Sequence, residues 1–283
     1  MALGRPRLDV ELSARVLAAS ALIAVFGFIW VIPLYGLVSG SLKSLAEVQG
    51  TPVLSPPSEV NLETVARVAG ELAGPLRNTF IVVLPVAAIA TILGSLAAYS
   101  IYRRMDRVSD SIMVAIAIAT YIPYHAILVP LINLVKSLGL YDTLPGIALA
   151  LLTYYTPMAA LLMVIFMSAI PRFYVEAAMV DGAGDLRVFR RIVLPLLGPG
   201  ITSTMIFLFI MTWNNFYIPL LMSRGYEAHI TLKIFSYVGQ SGTLYNEMFA
   251  ASLLGSLPPL IVFLSLGRYF IRGLQAYGGG VKA

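Results

Sequence analysis

Side chains able to do chemistry are scarce in this 283-residue chain, and the types present exclude most reactions. There is no cysteine, which rules out disulfides, thiolate metal sites and cysteine nucleophiles. His125 and His229 are the two histidines and stand far apart in sequence, too few nearby N or S ligands for a zinc site. No glycine is followed by lysine, so the P-loop route to ATP hydrolysis is absent. The residues therefore predict no catalytic constellation and no metal site. What remains is one charged island between two long apolar runs, EAAMVDGAGDLRVFRRIVLP, from Glu176 to Pro195.

The island reads as two short helices. The first runs from Glu176 to about Val180, entered after Pro171, and Gly182 and Gly184 break it by supplying turn conformations that other residues resist. The second runs from Asp185 to about Val193, with Asp185 as its cap and as a partner for the N-terminal dipole. Leu186, Phe189, Ile192 and Val193 then share one face, and Arg187, Arg190 and Arg191 carry charge elsewhere. Pro195 ends the element and opens the next span.

The elements that hold this island are membrane spans. The chain is 59% hydrophobic and 12% charged, against roughly 25% charged in a soluble domain. Six charge-free runs, 16–42, 78–102, 111–135, 143–171, 192–223 and 248–267, each reach the roughly 20 residues that a helix needs to cross hydrocarbon. The reading is an all-α polytopic membrane protein, one domain over 1–283. Its spans lie at about 16–42, 78–102, 111–135, 145–169, 198–221 and 248–268, with a loop at 170–196 and a tail at 272–283. Run 16–42 exceeds a signal-peptide core of about 7–15 residues, which favours an uncleaved span.

Charge sets the orientation. With the N-terminus inside, 13 of the 19 Lys and Arg fall in cytoplasmic segments and 6 outside, so both termini and the island are expected in the cytoplasm of a plasma-membrane protein. The same bias accounts for the net charge of +5 without nucleic acid as a partner. External segment 43–77 holds Pro52, Pro56 and Pro57, then a stretch of mixed polarity from Val60 to Leu76. It reads as a loop and a short amphipathic surface helix, either a rest for a binding protein or a plain connector.

Within the spans, Ala90, Gly94 and Ala98 recur every fourth residue, a spacing that lets helices approach closely. Pro123 and Pro130 predict a bent third span, through the loss of backbone donors. The fifth span contains Trp213-Asn214-Asn215-Phe216-Tyr217. An amide in hydrocarbon needs a helix partner or a wet cavity. Trp213, Asn214, Asn215, Tyr121 and Asn133 are thus candidates for a path that carries a carbohydrate, amides meeting hydroxyls and aromatic faces meeting sugar rings. Packing and interfacial belts are the competing roles, for the tyrosines above all. No Asp, Glu, Lys or Arg lies deep in a span, which argues against a proton- or sodium-coupled carrier.

The spacing Glu-Ala-Ala, three residues, Gly182, nine residues, Ile192, one residue, Leu194-Pro195 resembles the EAA loop of ABC importer permeases. The runs ILVPLINLVKSLGLYDTLPGIAL (127–149) and WNNFYIPLLMS (213–223), with the ending GLQAYGGGVKA, resemble carbohydrate permeases related to the smaller membrane subunit of the maltose importer. The resemblance implies a type I ABC importer permease fold and a coupling helix seated in an ATPase cleft. It carries that role to Glu176, Ala177, Ala178, Asp181, Gly182, Ala183, Phe189, Arg190, Ile192, Leu194 and Pro195. Glu176 is implied to face a basic ATPase residue, and Gly279, Gly280, Val281 and Lys282 to reach the ATPase dimer. The implied partners are a second, distinct permease (a heterodimer), an ABC ATPase dimer, an extracytoplasmic solute-binding protein and the lipid bilayer. No cofactor is expected on this chain, ATP and Mg sitting on the ATPase. The implied cargo is a sugar or oligosaccharide, with glycerol phosphate, phosphate, amino acids or polyamines as alternatives.

Overall fold

The computed structural model describes residues 6–104, 106–239 and 242–278. The expected tail contacts Gly279, Gly280, Val281 and Lys282 lie outside the described residues. The chain divides into two compact units, residues 1–70 with 237–254 and residues 71–236 with 255–283.

The first unit holds α1 (Pro6–Ser41), α2 (Leu45–Gly50), the start of α3 (Leu62–Arg104), a minimal hairpin of β1 (Val238–Gly239) and β2 (Gly242–Thr243), and the start of α13 (Tyr245–Gly278). From Val16 to Val31 every side chain of α1 is exposed, Trp30 at 76%. A helix apolar on all faces with none of them buried is a helix in lipid. Near its end the chain packs: a Cβ on Gly40 would fall within 3 Å of the Phe249 ring. Just beyond, Lys43 is fully buried, and its ammonium donates to Thr51 Oγ1, Pro52 O and Ser55 Oγ at 2.8–3.1 Å. Three donors meet three acceptors, which offsets the cost of burying the charge.

The second unit holds most of α3, then α4 (Arg107–Tyr121), α5 (Tyr124–Ser137), α6 (Leu144–Ser168), α7 (Phe173–Val180), α8 (Asp185–Val188), a π-helical turn (Phe189–Val193) and α9 (Leu194–Leu196). After these come α10 (Gly198–Trp213), α11 (Tyr217–Met222), a 3-10 turn (Tyr226–Ala228), α12 (Ile230–Ser236) and the rest of α13. The small-residue stripe packs as its spacing predicts. Ala90 and Ala98 are buried, and a Cβ on Gly94 would lie 2.6 Å from the Ala159 backbone, so α3 and α6 touch main chain to main chain there.

Two sequence expectations are corrected, and the expected bend of the third span is located at Pro123. The amphipathic helix after Val60 is no separate element, because α3 runs unbroken from Leu62 to Arg104 through Pro75 and Pro85. The third span is two helices: α4 stops at Tyr121, Ile122 turns extended before Pro123, and the two axes meet at 97°. The fifth span breaks at Asn214 into α10 and α11. Among the described residues, four helices are long and apolar enough to cross a membrane, and up to six spans result when two bent pairs, α4 with α5 and Asp185–Leu196 with Gly198–Trp213 (bent by 75°), each count as one.

Candidate functional site

The charged island folds into a helical hairpin whose motif residues have separate structural reasons. The last turn of α7 closes with a Schellman motif: Gly182 N–H donates to Met179 O at 3.0 Å and Ala183 N–H to Ala178 O at 3.0 Å. The residue between must adopt a left-handed backbone, and Gly182 sits at φ 78°. Ala178 and Ala183 pack, half-buried, against the neighbouring core, which explains small residues at both places. Glycine at 182 is thus a backbone requirement and not a matter of space, since a Cβ there would meet nothing within 4 Å.

The second helix differs from the expectation at three points. Gly184, not Asp185, holds the N-cap position and makes no side-chain cap. Asp185 is the first helical residue, and its carboxylate pairs with Arg103 from the end of α3. It still complements the helix dipole from that place. Next, α8 does not run on to Val193 as α-helix: Phe189–Val193 forms a π turn, with Leu194 N–H reaching back to Phe189 O. Pro195 supplies the reason, since it lacks an N–H and its ring crowds the carbonyl four residues earlier, which the wider turn relieves. After α9 and Leu197 the chain enters α10 at Gly198. The wider turn also changes the buried face to Val188, Phe189, Val193 and Leu197, leaving Leu186 64% exposed and Ile192 half-buried.

That face belongs to a core with Ala98 and Tyr99 of α3, Met163 and Met167 of α6, Ile170 and Val175. Tyr99 and Phe189 rings stand 5.2 Å apart, and Tyr102 Oη donates to Ile170 O at 2.8 Å. Phe189, expected at the partner contact, is therefore an internal anchor, and Leu194 packs beside it. Outside stand Glu176, Ala177, Asp181, Arg190, Pro195 and, at the tip, Met179 and Val180, the last 87% exposed. Among the described residues, Glu176 makes no ion pair. Sequence reasoning missed Tyr99, Tyr102 and Arg103, which hold the hairpin from α3. The Tyr-x-x-Tyr-Arg-Arg run at a span end was read only as orientation charge.

The candidate path residues do not form one group. Trp213 is buried, its indole Nε1 donating to Gly255 O at 3.0 Å and its ring edge-on to Phe80 at 4.9 Å, so it serves packing. Asn215 is a brace: Oδ1 accepts from Ile218 N–H at 3.0 Å and starts α11, while Nδ2 donates to Tyr155 Oη at 3.1 Å. Asn214, Asn133 and Tyr121 are exposed, Tyr121 at 81%. Asn214 Nδ2 donates within its own helix, to Ile210 O at 2.8 Å. His125 and Tyr217, also exposed, meet edge-on at 5.4 Å.

Known proteins resemble the chain over about nine-tenths of its length. It is 46% identical over 268 residues to the glucose import system permease protein GlcU of Saccharolobus solfataricus, covering 92% of this chain and 93% of that one. It is 30% identical over 256 residues to the melibiose/raffinose/stachyose import permease protein MelC of Bacillus subtilis, covering 89% and 91%. A chain from the crystal structure of a bacterial ABC transporter that imports the polysaccharide alginate superposes with a TM-score of 0.68 at 20% identity, covering 95% of this chain and all of that one, and so shares the fold. The family model described as "Binding-protein-dependent transport system inner membrane component" matches residues 90–276, from the α3–α6 contact through the hairpin to the last span, and the chain belongs to that family of multi-pass membrane proteins.

Proposed function

We propose that this chain is a permease subunit of an ATP-binding-cassette importer for a sugar or oligosaccharide, and that the 173–196 hairpin docks a separate ATPase. One observation carries the docking assignment. The hairpin is anchored from behind by an apolar core, yet Met179, Val180 and Leu186 stay exposed beside a carboxylate, Glu176, that has no ion pair among the described residues. Apolar side chains in an aqueous compartment mark a surface awaiting a protein partner. A cleft with a basic residue opposite Glu176 fits it. The sugar assignment draws on the names of the relatives, glucose for one and melibiose, raffinose and stachyose for another.

The assembly includes a second, distinct permease, an ATPase dimer that holds ATP and Mg, and an extracytoplasmic solute-binding protein, with both termini of this chain in the cytoplasm. Closure of the ATPase dimer moves the hairpin, and α10 moves with it because it follows directly in the chain, across a 75° bend at Leu197. The energy enters as a difference in contact between two states of the dock. Asn214, Asn133 and Tyr121 line the solute path, since an exposed amide at membrane depth belongs in a wet cavity and not against lipid. Trp213 and Asn215 hold that wall in place.

The test is ATP-driven uptake of labelled glucose and melibiose in proteoliposomes, with glycerol phosphate, phosphate, an amino acid and a polyamine as comparison solutes. Glu176→Lys is expected to abolish uptake and copurification of the ATPase while the chain remains in the membrane. Wild-type uptake by that variant sinks the docking assignment, and uptake confined to a comparison solute sinks the sugar assignment.

A further inference from the structure

A cavity of about 550 Å³ opens between the end of α3 and one face of α7. Arg103, Arg104 and Arg172 line it, with Glu176 as its one carboxylate. Two of these guanidiniums are already positioned. Arg103 pairs with Asp185, and Arg172 donates to the Tyr102 carbonyl at 3.4 Å with its guanidinium 5.2 Å over the Tyr102 ring. That ring is fixed in turn by its hydroxyl on Ile170. Among the described residues, Arg104 and Arg172 form no ion pair. Asp185 answers Arg103 and Asp106 lies in the field of Arg104, but on the cavity wall itself three arginines face one carboxylate, Glu176, and their planar forks match phosphate oxygens.

The depth of the cavity selects the kind of anion. The charge-free run of α3 stops at Tyr102, immediately before Arg103, and α6 ends at Ser168, just ahead of Arg172. Two spans leave the hydrocarbon at this level, where lipid phosphates lie. Val175 and Met179 add an apolar wall beside the arginines, suited to the glycerol end of a lipid. We propose that the cavity is a binding site for a phosphate-bearing anion, occupied by the headgroup of an anionic phospholipid. Because α7 carries Glu176 on the wall of the same cavity, the bound headgroup sets the field around the carboxylate used for docking. The inference needs only that the chain spans a membrane, so it survives if the docking assignment fails.

The experiment places the full chain in phosphatidylcholine nanodiscs doped with phosphatidylglycerol and counts retained lipids by native mass spectrometry after release into detergent. The wild type is expected to retain phosphatidylglycerol over phosphatidylcholine. The Arg104→Gln/Arg172→Gln variant is expected to lose that retention by roughly fivefold per guanidinium removed. Arg104→Lys/Arg172→Lys should recover part of it, and an unchanged melting profile in detergent shows that the variants fold. A parallel arm titrates inorganic phosphate into lipid-stripped protein and follows the 31P linewidth. Broadening lost in the Gln variant, without lipid retention, keeps the anion site and names free phosphate as its occupant. Equal phosphatidylglycerol retention by wild type and Gln variant overturns the proposal. So does loss of ATPase copurification with lipid retention intact, which assigns the arginines to the protein dock.

Discussion

Around Gly182 the chain is held by apolar packing and leaves its charges outside, whereas around His229 it buries polar groups and ties them to one another. His229 is fully buried, with Nδ1 2.9 Å from Thr231 Oγ1. The Thr231 hydroxyl donates to Asn215 O at 3.0 Å, Asn215 reaches Tyr155, and Tyr155 Oη donates to Met211 O at 3.1 Å. Ile230 N–H, at the start of α12, donates to the buried Thr79 hydroxyl at 2.8 Å. The His229 Nε2 finds no hydrogen-bond partner among the described residues. The contrast teaches what each region is suited to. Apolar packing seats the hairpin on α3 and α6 through a core that contains no titratable group other than the Tyr99 phenol. The polar network consists of separate bonds that fail singly, and it carries a titratable ring with no tolerance for charge.

Four substitutions or conditions break or sharpen that contrast. The largest effect is expected from Gly182→Val, which forces a β-branched residue to φ 78° and undoes the Schellman turn. Uptake in proteoliposomes should fall by on the order of tenfold or more, with membrane insertion unchanged. Normal uptake would show that the turn has no part in coupling. Next, Phe189→Ala removes the ring that seats the hairpin, and thermal unfolding in detergent should register a loss of about 3 kcal/mol. A loss under about 1 kcal/mol would mean that the core does not hold the element.

Acid supplies the third test. Burial pushes the His229 pKa down from 6.5 to about 4. The unfolded chain therefore binds a proton that the folded chain refuses. Stability is full above about pH 6.5 and declines as pH falls toward about 4, by up to about 3 kcal/mol. His229→Gln should flatten that part of the pH profile, while Phe189→Ala lowers the whole profile without changing its slope. An unchanged slope in His229→Gln removes histidine from the account. The smallest effect belongs to Asp185→Asn. Its pair with Arg103 is more than a third exposed on both sides, so the melting shift should correspond to less than about 1 kcal/mol. A larger loss would mean that the hairpin is held by charge as well as by packing.

Much of this was legible in the sequence because membrane segments and special backbone positions leave strong marks. Uninterrupted apolar runs marked the long apolar helices, and α6 falls within a residue of the bounds expected for the fourth. Gly182 was legible because few other residues accept its backbone. What escaped depended on tertiary partners or on small differences in local energy. The wide turn at Phe189–Val193 reflects a balance between Pro195 and the hydrogen bonds before it, which periodicity does not record. Trp213 reads the same in a sequence whether its indole meets a solute or the Gly255 carbonyl. Lys43 counts as an ordinary external charge until its three oxygen partners are in view. The hairpin anchors Tyr99 and Tyr102 lie some 70 to 90 residues from the groups they bond, beyond any local pattern.

The π turn has a consequence for rotational phase. One residue more per turn than the flanking helix allows advances everything downstream by about 100°. Val188 and the first turn of α10 therefore face directions that a continuous α-helix would not give them. Deleting one residue between Phe189 and Val193 would restore regular winding up to Leu196 and redirect the 75° bend at which α10 leaves the hairpin. The extra residue thus sets the angle at which the hairpin hands the chain on to α10, a quantity that length alone would not fix.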